Sequence, residues 1–223
     1  MQTEFLTESN IFSRQLPLEK TINRLVKRML DLFFSLFMFM VLFSWLWPIV
    51  TFFIRLSGSG HIFFKQEREG KDNIRFFLYK FRSMHDDCKE FSKNGKFLQV
   101  SRNDTRLTTV GKFLRKNNLD ELPQFLNVLK GEMSIVGPRP HPVPLNMEYE
   151  NIVNGYSLRH IVKPGITGLA QVNGFRGETN SLLLMQQRID NDLWYIENWS
   201  LMLDIKLILL TIFNMIKGDK SAY

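Results

Sequence analysis

The sequence predicts an α+β fold, mostly helical, carried by one N-terminal membrane-embedded helix. Three observations predict it. Residues 32–54 form an unbroken run of uncharged residues, closed by Asp31 on one side and Arg55 on the other. Residues 61–81 hold two aromatic-rich runs around a polar turn, the pattern of a β-hairpin. From Leu107 onward, apolar residues recur at helical spacing in several segments.

The apolar run comes first. As a straight helix it is roughly 35 Å long, enough for a hydrocarbon core of about 30 Å. Pro48 lies within it. Proline lacks an N–H and crowds the carbonyl four residues earlier, so it kinks a helix. Ser44 stands at that earlier position and can help satisfy freed backbone groups. Basic residues flank the run on both sides: Arg24, Lys27 and Arg28 before it, Arg55, Lys65, Arg68 and Lys71 after it. A spanning helix usually carries its positive excess on one side only. A kinked, re-entrant helix that enters and leaves by the same face accounts for both features. A single span remains the alternative that length alone permits. The run is too long for the apolar region of a secretory signal and lacks a small-residue cleavage site. The chain therefore divides into an N-terminal arm (1–26), a re-entrant membrane helix (27–57) and a membrane-associated domain (58–223).

The other elements follow in order. His61–Arg68 and Ile74–Phe81 read as the hairpin strands, and Ser57-Gly58-Ser59-Gly60 as the turn ending the membrane element. Residues 85–104 are polar and read as a mobile excursion. Leu107, Val110 and Leu114 predict a helix ending near Asn117-Asn118. Leu122, Phe125, Leu126 and Leu129 predict a second, with Pro123 in its first turn and Gly131 as its stop. The alternating prolines 138, 140, 142 and 144 predict an extended, stiff segment. Residues 163–177 read as a structured loop. Two helices close the chain, at 180–197 and 201–217. The last places Leu201, Ile205, Ile208, Leu209, Ile212 and Ile216 on one face, with Ser200 as cap and Gly218 as stop. That face suits a core or an interfacial position on the bilayer.

Net charge is +7 and the pI about 9.5. Beside a membrane segment, that excess points to lipid headgroups or a phosphate-rich substrate. No basic-aromatic recognition module is present, which argues against nucleic acid as a partner. The one cysteine, Cys88, cannot form an intrachain disulfide, as suits a reducing compartment.

The strongest chemical signal is Arg115-Lys116-Asn117-Asn118-Leu119-Asp120-Glu121-Leu122-Pro123. Adjacent carboxylates stand where a helix begins, an end that favours anions. Two carboxylates and a phosphate repel one another unless a cation intervenes, and Mg²⁺ with oxygen ligands meets that need. One carboxylate can hold metal while the other acts as a nucleophile. The plainer reading is helix capping. Gly137-Pro138-Arg139-Pro140 is second: prolines on both sides restrict a guanidinium suited to phosphate. Lys80 adds charge at a strand end. Asp190-Asn191-Asp192 spells a D-x-D, but residues two apart on a helix do not face each other. Asn103-Asp104-Thr105 and Asn198-Trp199-Ser200 match glycosylation sequons, with nothing else to suggest secretion. His61, His85, His141 and His160 lack zinc spacing.

In order along the chain, these motifs resemble the bacterial sugar transferase family, the monotopic phosphoglycosyl transferases. The resemblance runs from Lys27-Arg28 to Thr211. It includes Asp31, Pro48, Gln66-x-Arg68-x-Gly70, Lys80-Phe81-Arg82-Ser83-Met84, Leu119-Asp120-Glu121-Leu122-Pro123-Gln124, Gly137-Pro138-Arg139-Pro140 and Lys163-Pro164-Gly165-Ile166-Thr167-Gly168. It implies a re-entrant helix with both ends cytoplasmic, at the bacterial inner membrane. It implies transfer of a sugar 1-phosphate from a nucleoside diphosphate sugar, most often a UDP-sugar, to polyprenyl (undecaprenyl) phosphate, with Mg²⁺, as a first membrane step of capsule or exopolysaccharide synthesis. Asp120 would be the nucleophile, forming an aspartyl phosphosugar. Glu121 would hold the metal. Arg139 would bind phosphate with Arg115 and Lys80, and Asp192 matches a further family position. Two departures stand out. Leu169 occupies a place where the family often has Trp. Many members carry four more membrane helices and a further domain ahead of this unit, where this chain has about 25 residues, so a small-type or a trimmed member is expected. The sugar and the oligomeric state, a homodimer included, are left open. Two other classes are weighed: a metal-dependent glycosyltransferase using Asp190 and Asp192 and releasing UDP, and a non-catalytic membrane anchor.

Overall fold

A computed structural model describes residues 15–217, apart from 87, 89, 93, 94, 96, 102, 103 and 178–180. Helix α1 (Thr21–Met38) passes through a π turn (Phe39–Phe43) into helix α2 (Ser44–Leu56). Among the described residues this is the one helix long and apolar enough to cross a membrane. It starts at Thr21, ahead of the boundary expected at residue 27. Residues 1–14 of the expected arm lie outside the described residues.

The π turn sits just ahead of Pro48, where the missing N–H and the ring disturb the ladder. Side chains serve two carbonyls of that turn. Ser44 Oγ donates to Met40 O at 3.0 Å, and Trp45 Nε1 donates to Val41 O at 2.7 Å. An aromatic column ties the distortion to the domain. Phe39 stacks on Phe43 (4.4 Å), Phe43 meets Trp47 (4.6 Å), and Trp47 meets Phe81 (5.1 Å).

Strands β1 (Phe63–Glu69) and β2 (Arg75–Phe81) pair antiparallel from Phe63↔Phe81 to Glu69↔Arg75. Asp72 and Asn73 take positive φ in the turn, a conformation their short polar side chains tolerate. The polar segment that follows closes at its base through a Met84↔Leu107 bridge. Helix α3 (Thr109–Lys116) is capped by Thr108, whose Oγ1 accepts from Gly111 N at 2.8 Å. Gly111 backs onto the Ser83 carbonyl so closely that a Cβ would overlap it. A 3₁₀ turn (Leu119–Glu121) then leads into α4 (Gln124–Lys130), which stops at Gly131 with φ 85.

Beyond α4 the chain forms β3 (Ser134–Val136), α5 (Val143–Tyr149), a 3₁₀ turn (Tyr156–Ile161), β4 (Gly165–Thr167), α6 (Leu169–Val172), α7 (Leu182–Glu197) and α8 (Leu201–Lys217). The sequence reading is corrected at two places here and decided at a third, the face of α8. The proline-rich segment does not stay extended, because Pro144 lies in the first turn of α5, where a missing N–H costs nothing. The loop expected at 163–177 contains β4 and α6, and β4 pairs in parallel with β3, Ser134↔Gly165 and Val136↔Thr167. On α8 the buried residues are Asp204, Leu207 and Ile208, while Leu209, Ile212 and Ile216 are exposed. The apolar face read from the sequence is thus mostly the outer one. Ser200 does cap α8, through Leu203 N at 3.2 Å. Gly218, expected as its stop, lies outside the described residues.

Both ends of the long helix are pinned to the same domain. At the start, Lys27 Nζ donates to Asp204 Oδ2 (2.6 Å), Val136 O (2.9 Å) and Tyr195 Oη (3.0 Å). Asp204 also accepts from Tyr195 Oη (2.7 Å) and Trp199 Nε1 (3.0 Å). One turn on, Asp31 Oδ1 accepts from Ser134 Oγ and Ile135 N, at 2.9 and 2.8 Å. At the far end, Arg82 donates to Ile54 O (3.0 Å), Gly58 O (2.9 Å) and Ser59 O (2.7 Å).

Removing one member of a buried ion pair strands the other charge. Lys27→Met and Asp204→Asn are therefore each expected to destabilise the protein by about 3–5 kcal/mol. The double variant Lys27→Met/Asp204→Asn is expected to lose less than the two single losses combined, measured by thermal unfolding in detergent. Additive losses would show that the two groups are not coupled.

Candidate active site

Asp120 and Glu121 lie in the 3₁₀ turn before α4 and are 4 % and 7 % exposed. Neither acts as a helix cap: among the described residues, no backbone N–H donates to either carboxylate. Their surroundings differ sharply. Glu121 Oε1 accepts from Arg139 Nη2 (2.5 Å) and Lys80 Nζ (2.9 Å), and Oε2 from Arg176 Nη2 (3.2 Å). Burial alone would raise the pKa of Glu121; Arg139, Lys80 and Arg176 reverse this and hold it well below the usual carboxylate range. Asp120 has no hydrogen-bonded partner among the described residues. Burial raises its pKa, and Lys80 and Arg115 oppose that from a distance. One carboxylate is therefore locked by cations, while its neighbour is desolvated and unengaged.

Several elements bring the cations in. Lys80 stands one residue before the end of β2, and burial lowers its pKa. Arg115, in the last turn of α3, donates from Nε to Ser83 Oγ at 2.8 Å. Arg139 follows β3 on a loop held from behind. Arg159 donates to the Arg139 carbonyl, and Arg68 Nη1 donates to Pro140 O at 3.2 Å. Arg159 in turn pairs with Asp192 at 2.9 Å. His141 lies in the same packing, its Nδ1 2.6 Å from both Tyr156 Oη and Arg159 Nη1. Burial and the surrounding arginines keep His141 neutral, well below its ordinary pKa.

The structure thus brings Asp120, Glu121, Lys80, Arg115 and Arg139 together. Asp192 is placed one step behind, buried on Arg159 and supporting the Arg139 loop. Asp190 is exposed and accepts from Gln186, so the two carboxylates of the D-x-D do not converge. Of the two sequons, Asn103 lies outside the described residues, and Asn198 donates its side chain to Trp194 O. The sequence reading missed Arg176, Arg68 and Arg188. Arg176 binds Glu121. Arg68 is buried, and burial together with Arg139 lowers its pKa to about 9. Arg188 reaches His141 Nε2 at 3.3 Å and Gly177 O at 2.6 Å. Of these, only Arg68 carried a signal, in Gln66-x-Arg68-x-Gly70.

Two cavities adjoin this cluster. One, of about 290 Å³, is cationic and lined by Lys80, Arg82, Arg115, Arg139, Arg176 and Arg188, with Met84, His85, Asp86, Cys88 and Glu90 along one side. The other, of about 410 Å³, is apolar and lies between α1, α4 and α8, against Phe34, Met38, Phe125, Ile208 and Ile212. Arg176 lines both, and Glu121 lines the apolar one. Asp120 sits beside them without lining either.

A Mg²⁺ ion would find hard oxygen donors in the Glu121 carboxylate, the right chemistry for it. No cluster of three or more His, Cys, Asp or Glu side chains occurs among the described residues. The remaining ligands would have to come from substrate phosphates and water, the usual case for this ion. The cations now on Glu121 are the groups that a phosphate would draw away.

The sequence model of the bacterial sugar transferase family matches residues 22–218, and the chain belongs to that family. It is 48 % identical over 204 residues to a UDP-glucose:undecaprenyl-phosphate glucose-1-phosphate transferase of Klebsiella pneumoniae, covering 91 % of this chain and 42 % of that protein. A protein of the same description from Xanthomonas campestris pv. campestris is 51 % identical over 183 residues, covering 80 % of this chain and 37 % of the relative. The chain thus spans about two fifths of the length of these relatives. The exopolysaccharide production protein PSS of Rhizobium leguminosarum bv. phaseoli is 41 % identical over 199 residues, covering 88 % of this chain and 98 % of that protein.

The histidines behind the Arg139 loop make stability depend on pH. Burial and Arg159 lower the pKa of His160 to about 4 from 6.5. Its stabilising contribution is complete above pH 6.5 and is lost as pH falls toward 4, because the unfolded chain then binds the proton more readily. The slope reaches about 1.4 kcal/mol per pH unit within that window. Asp192, raised by burial to about 6, acts with the opposite sign between about 6 and 3.8. The contrast to measure is therefore between variants: His160→Gln is expected to lose less stability than the parent between pH 6.5 and 4.5 in chemical unfolding. Parallel curves would show that His160 titrates as it does in the unfolded chain.

Proposed function

We propose that this chain transfers a sugar 1-phosphate from a UDP-sugar to a polyprenyl phosphate, releasing UMP and forming a polyprenyl diphosphosugar. The observation that carries this reading is the meeting of a cavity lined with cations and an apolar cavity at Arg176, beside Asp120 and Glu121. The first suits the diphosphate of a water-soluble donor. The second lies against the membrane helix and suits the chain of a lipid acceptor. The two relatives of about half identity act on UDP-glucose and undecaprenyl phosphate, so glucose is the first sugar to test.

In this mechanism Lys80, Arg139 and Arg176 turn from Glu121 to the incoming diphosphate, opening the way to Asp120. An Asp120 oxygen attacks the phosphorus bearing the sugar. The bond between that phosphorus and the bridging oxygen breaks, and UMP leaves with the electron pair. A phosphate oxygen of the acceptor then attacks the same phosphorus and expels the Asp120 carboxylate. Burial without hydrogen bonds suits Asp120 to this role, since a desolvated carboxylate gives up little to attack. Glu121 would hold Mg²⁺, which when bound neutralises diphosphate charge. Arg139, Lys80 and Arg115 keep the phosphates in place, and Asp192 holds Arg139 through Arg159.

The re-entrant reading of α1 and α2 draws support from the pinning of both helix ends to one domain. It would place the site at the cytoplasmic face of the bacterial inner membrane. A role in exopolysaccharide or capsule synthesis draws support from the Rhizobium relative.

The test is nucleotide release from UDP-glucose and other UDP-sugars, with Mg²⁺ and undecaprenyl phosphate, resolving UMP from UDP. UMP is expected. UDP would mean glycosyl transfer in place of phosphosugar transfer. Asp120→Asn is expected to abolish turnover in protein with parental thermal stability; retained turnover would remove it as nucleophile. Arg176→Gln is expected to lower kcat/KM by about a hundredfold, the scale for losing one donor that stabilises developing charge. A change below about threefold would leave Arg176 outside the chemistry.

A further inference from the structure

A second cationic cluster lies away from the carboxylate turn. It gathers at Gly131, the left-handed residue that ends α4. Lys163 Nζ and Arg28 Nη2 lie 3.5 and 3.7 Å from where a Cβ on Gly131 would stand, so both face the same small space. The Arg28 guanidinium is fixed there, donating to Val128 O (2.6 Å) and Leu129 O (2.9 Å) at the end of α4. Lys163 is partly buried, and among the described residues its ammonium has neither a hydrogen bond nor an ion pair. Burial, Arg28 and Lys71 all disfavour its charge, and Asp31 alone favours it. Asp31 is already engaged by Ser134 and Ile135.

We infer that Arg28 and Lys163 form a phosphate-binding site, separate from the carboxylate turn, that takes the headgroup phosphate of an anionic membrane lipid. Two like charges face one space while the nearby carboxylate, Asp31, is taken up by Ser134 and Ile135, so an anion would balance them. Arg28 locates it, because the apolar run starts four residues later, about 6 Å along the helix. The cluster therefore lies where α1 enters the lipid, at the level of the headgroups. An anionic headgroup fits better than a zwitterionic one, since the cluster carries a net positive charge. Such a contact would fix the depth of α1 from the domain side. It does not depend on the proposed reaction.

The experiment is thermal unfolding of the purified full chain in maltoside micelles, titrated with phosphatidylglycerol, phosphatidylcholine or inorganic phosphate. Phosphatidylglycerol is expected to raise Tm saturably, and phosphatidylcholine at equal mole fraction to have a much smaller effect. Lys163→Gln is expected to need about fivefold more phosphatidylglycerol for the half-maximal shift, the scale of one basic residue at a lipid surface, with Lys163→Arg restoring it. Arg28→Gln, read against its own lipid-free Tm, is expected to weaken the response in the same direction. Unchanged responses in both Gln variants, or equal shifts from the two lipids, would overturn the site. Full stabilisation by inorganic phosphate that removes any further effect of phosphatidylglycerol would overturn the lipid assignment and leave a free-anion site.

Discussion

The contact on which the rest of the structure depends is the buried pair between Lys27 and Asp204. It joins the first membrane helix to the last helix, and its other hydrogen bonds reach Val136 on β3, Tyr195 on α7 and Trp199. Withdrawing two charges from water costs several kcal/mol each, and the attraction offsets that only if the remaining donors and acceptors are satisfied. Here they are satisfied by three groups, from Val136, Tyr195 and Trp199. The pair thus works as a register mark, because it is tolerable only when all three are in place. Val136 is followed directly by Gly137-Pro138-Arg139. The anchor in the lipid and the arginine at the carboxylates are therefore held by one another within a few residues.

The same logic governs the 3₁₀ turn, with a different result. Two adjacent carboxylates share one turn and nearly equal burial, yet every close cation goes to Glu121. The backbone causes this. Successive side chains on a tight turn diverge, so groups arriving from β2, the Arg139 loop and Arg176 meet one carboxylate and not the other. The turn in this way separates a charge-holding group from a group free to react. Three cations on one carboxylate leave a surplus of positive charge, which an incoming anion can use without creating new unpaired charge in the site.

Much of this was legible in the sequence wherever local pattern decides the outcome. The hairpin, α3 and α4 follow from period and punctuation, since Thr108, Pro123 and Gly131 act through neighbours a few residues away. The β3–β4 pair was not legible, because two three-residue strands have no measurable period and their pairing is set by the chain between them. Which side of α8 faces the domain was left open for a related reason. Apolar residues line both sides of this helix, and the buried side is marked by Asp204, a charge. Asp120, Glu121 and Arg139 stood out because their neighbours constrain them. Arg176 and Arg188 did not, since a lone arginine in a loop or on a helix has no spacing to betray it. Their partners lie 55 and 47 residues away in the chain.

The proposed two-step course also has a physical reason in the arrangement of the site. Donor and acceptor are both anions, and both have to reach one phosphorus. In a direct displacement, a phosphate dianion would approach a diphosphate carrying two charges. At 4 Å and an effective dielectric constant of 20, that repulsion is about 16 kcal/mol before any cation compensates it, four times the value for two unit charges. Lys80, Arg139 and Arg176 would have to be divided between the two ligands. An aspartyl intermediate removes the conflict in time. The nucleotide takes its charge away before the lipid phosphate arrives, and the same three cations serve each anion in turn. A second nucleophile is then unnecessary, and the distinct surroundings of Asp120 and Glu121 become a requirement: the carboxylate that reacts must be free of cations, while its neighbour keeps them at hand.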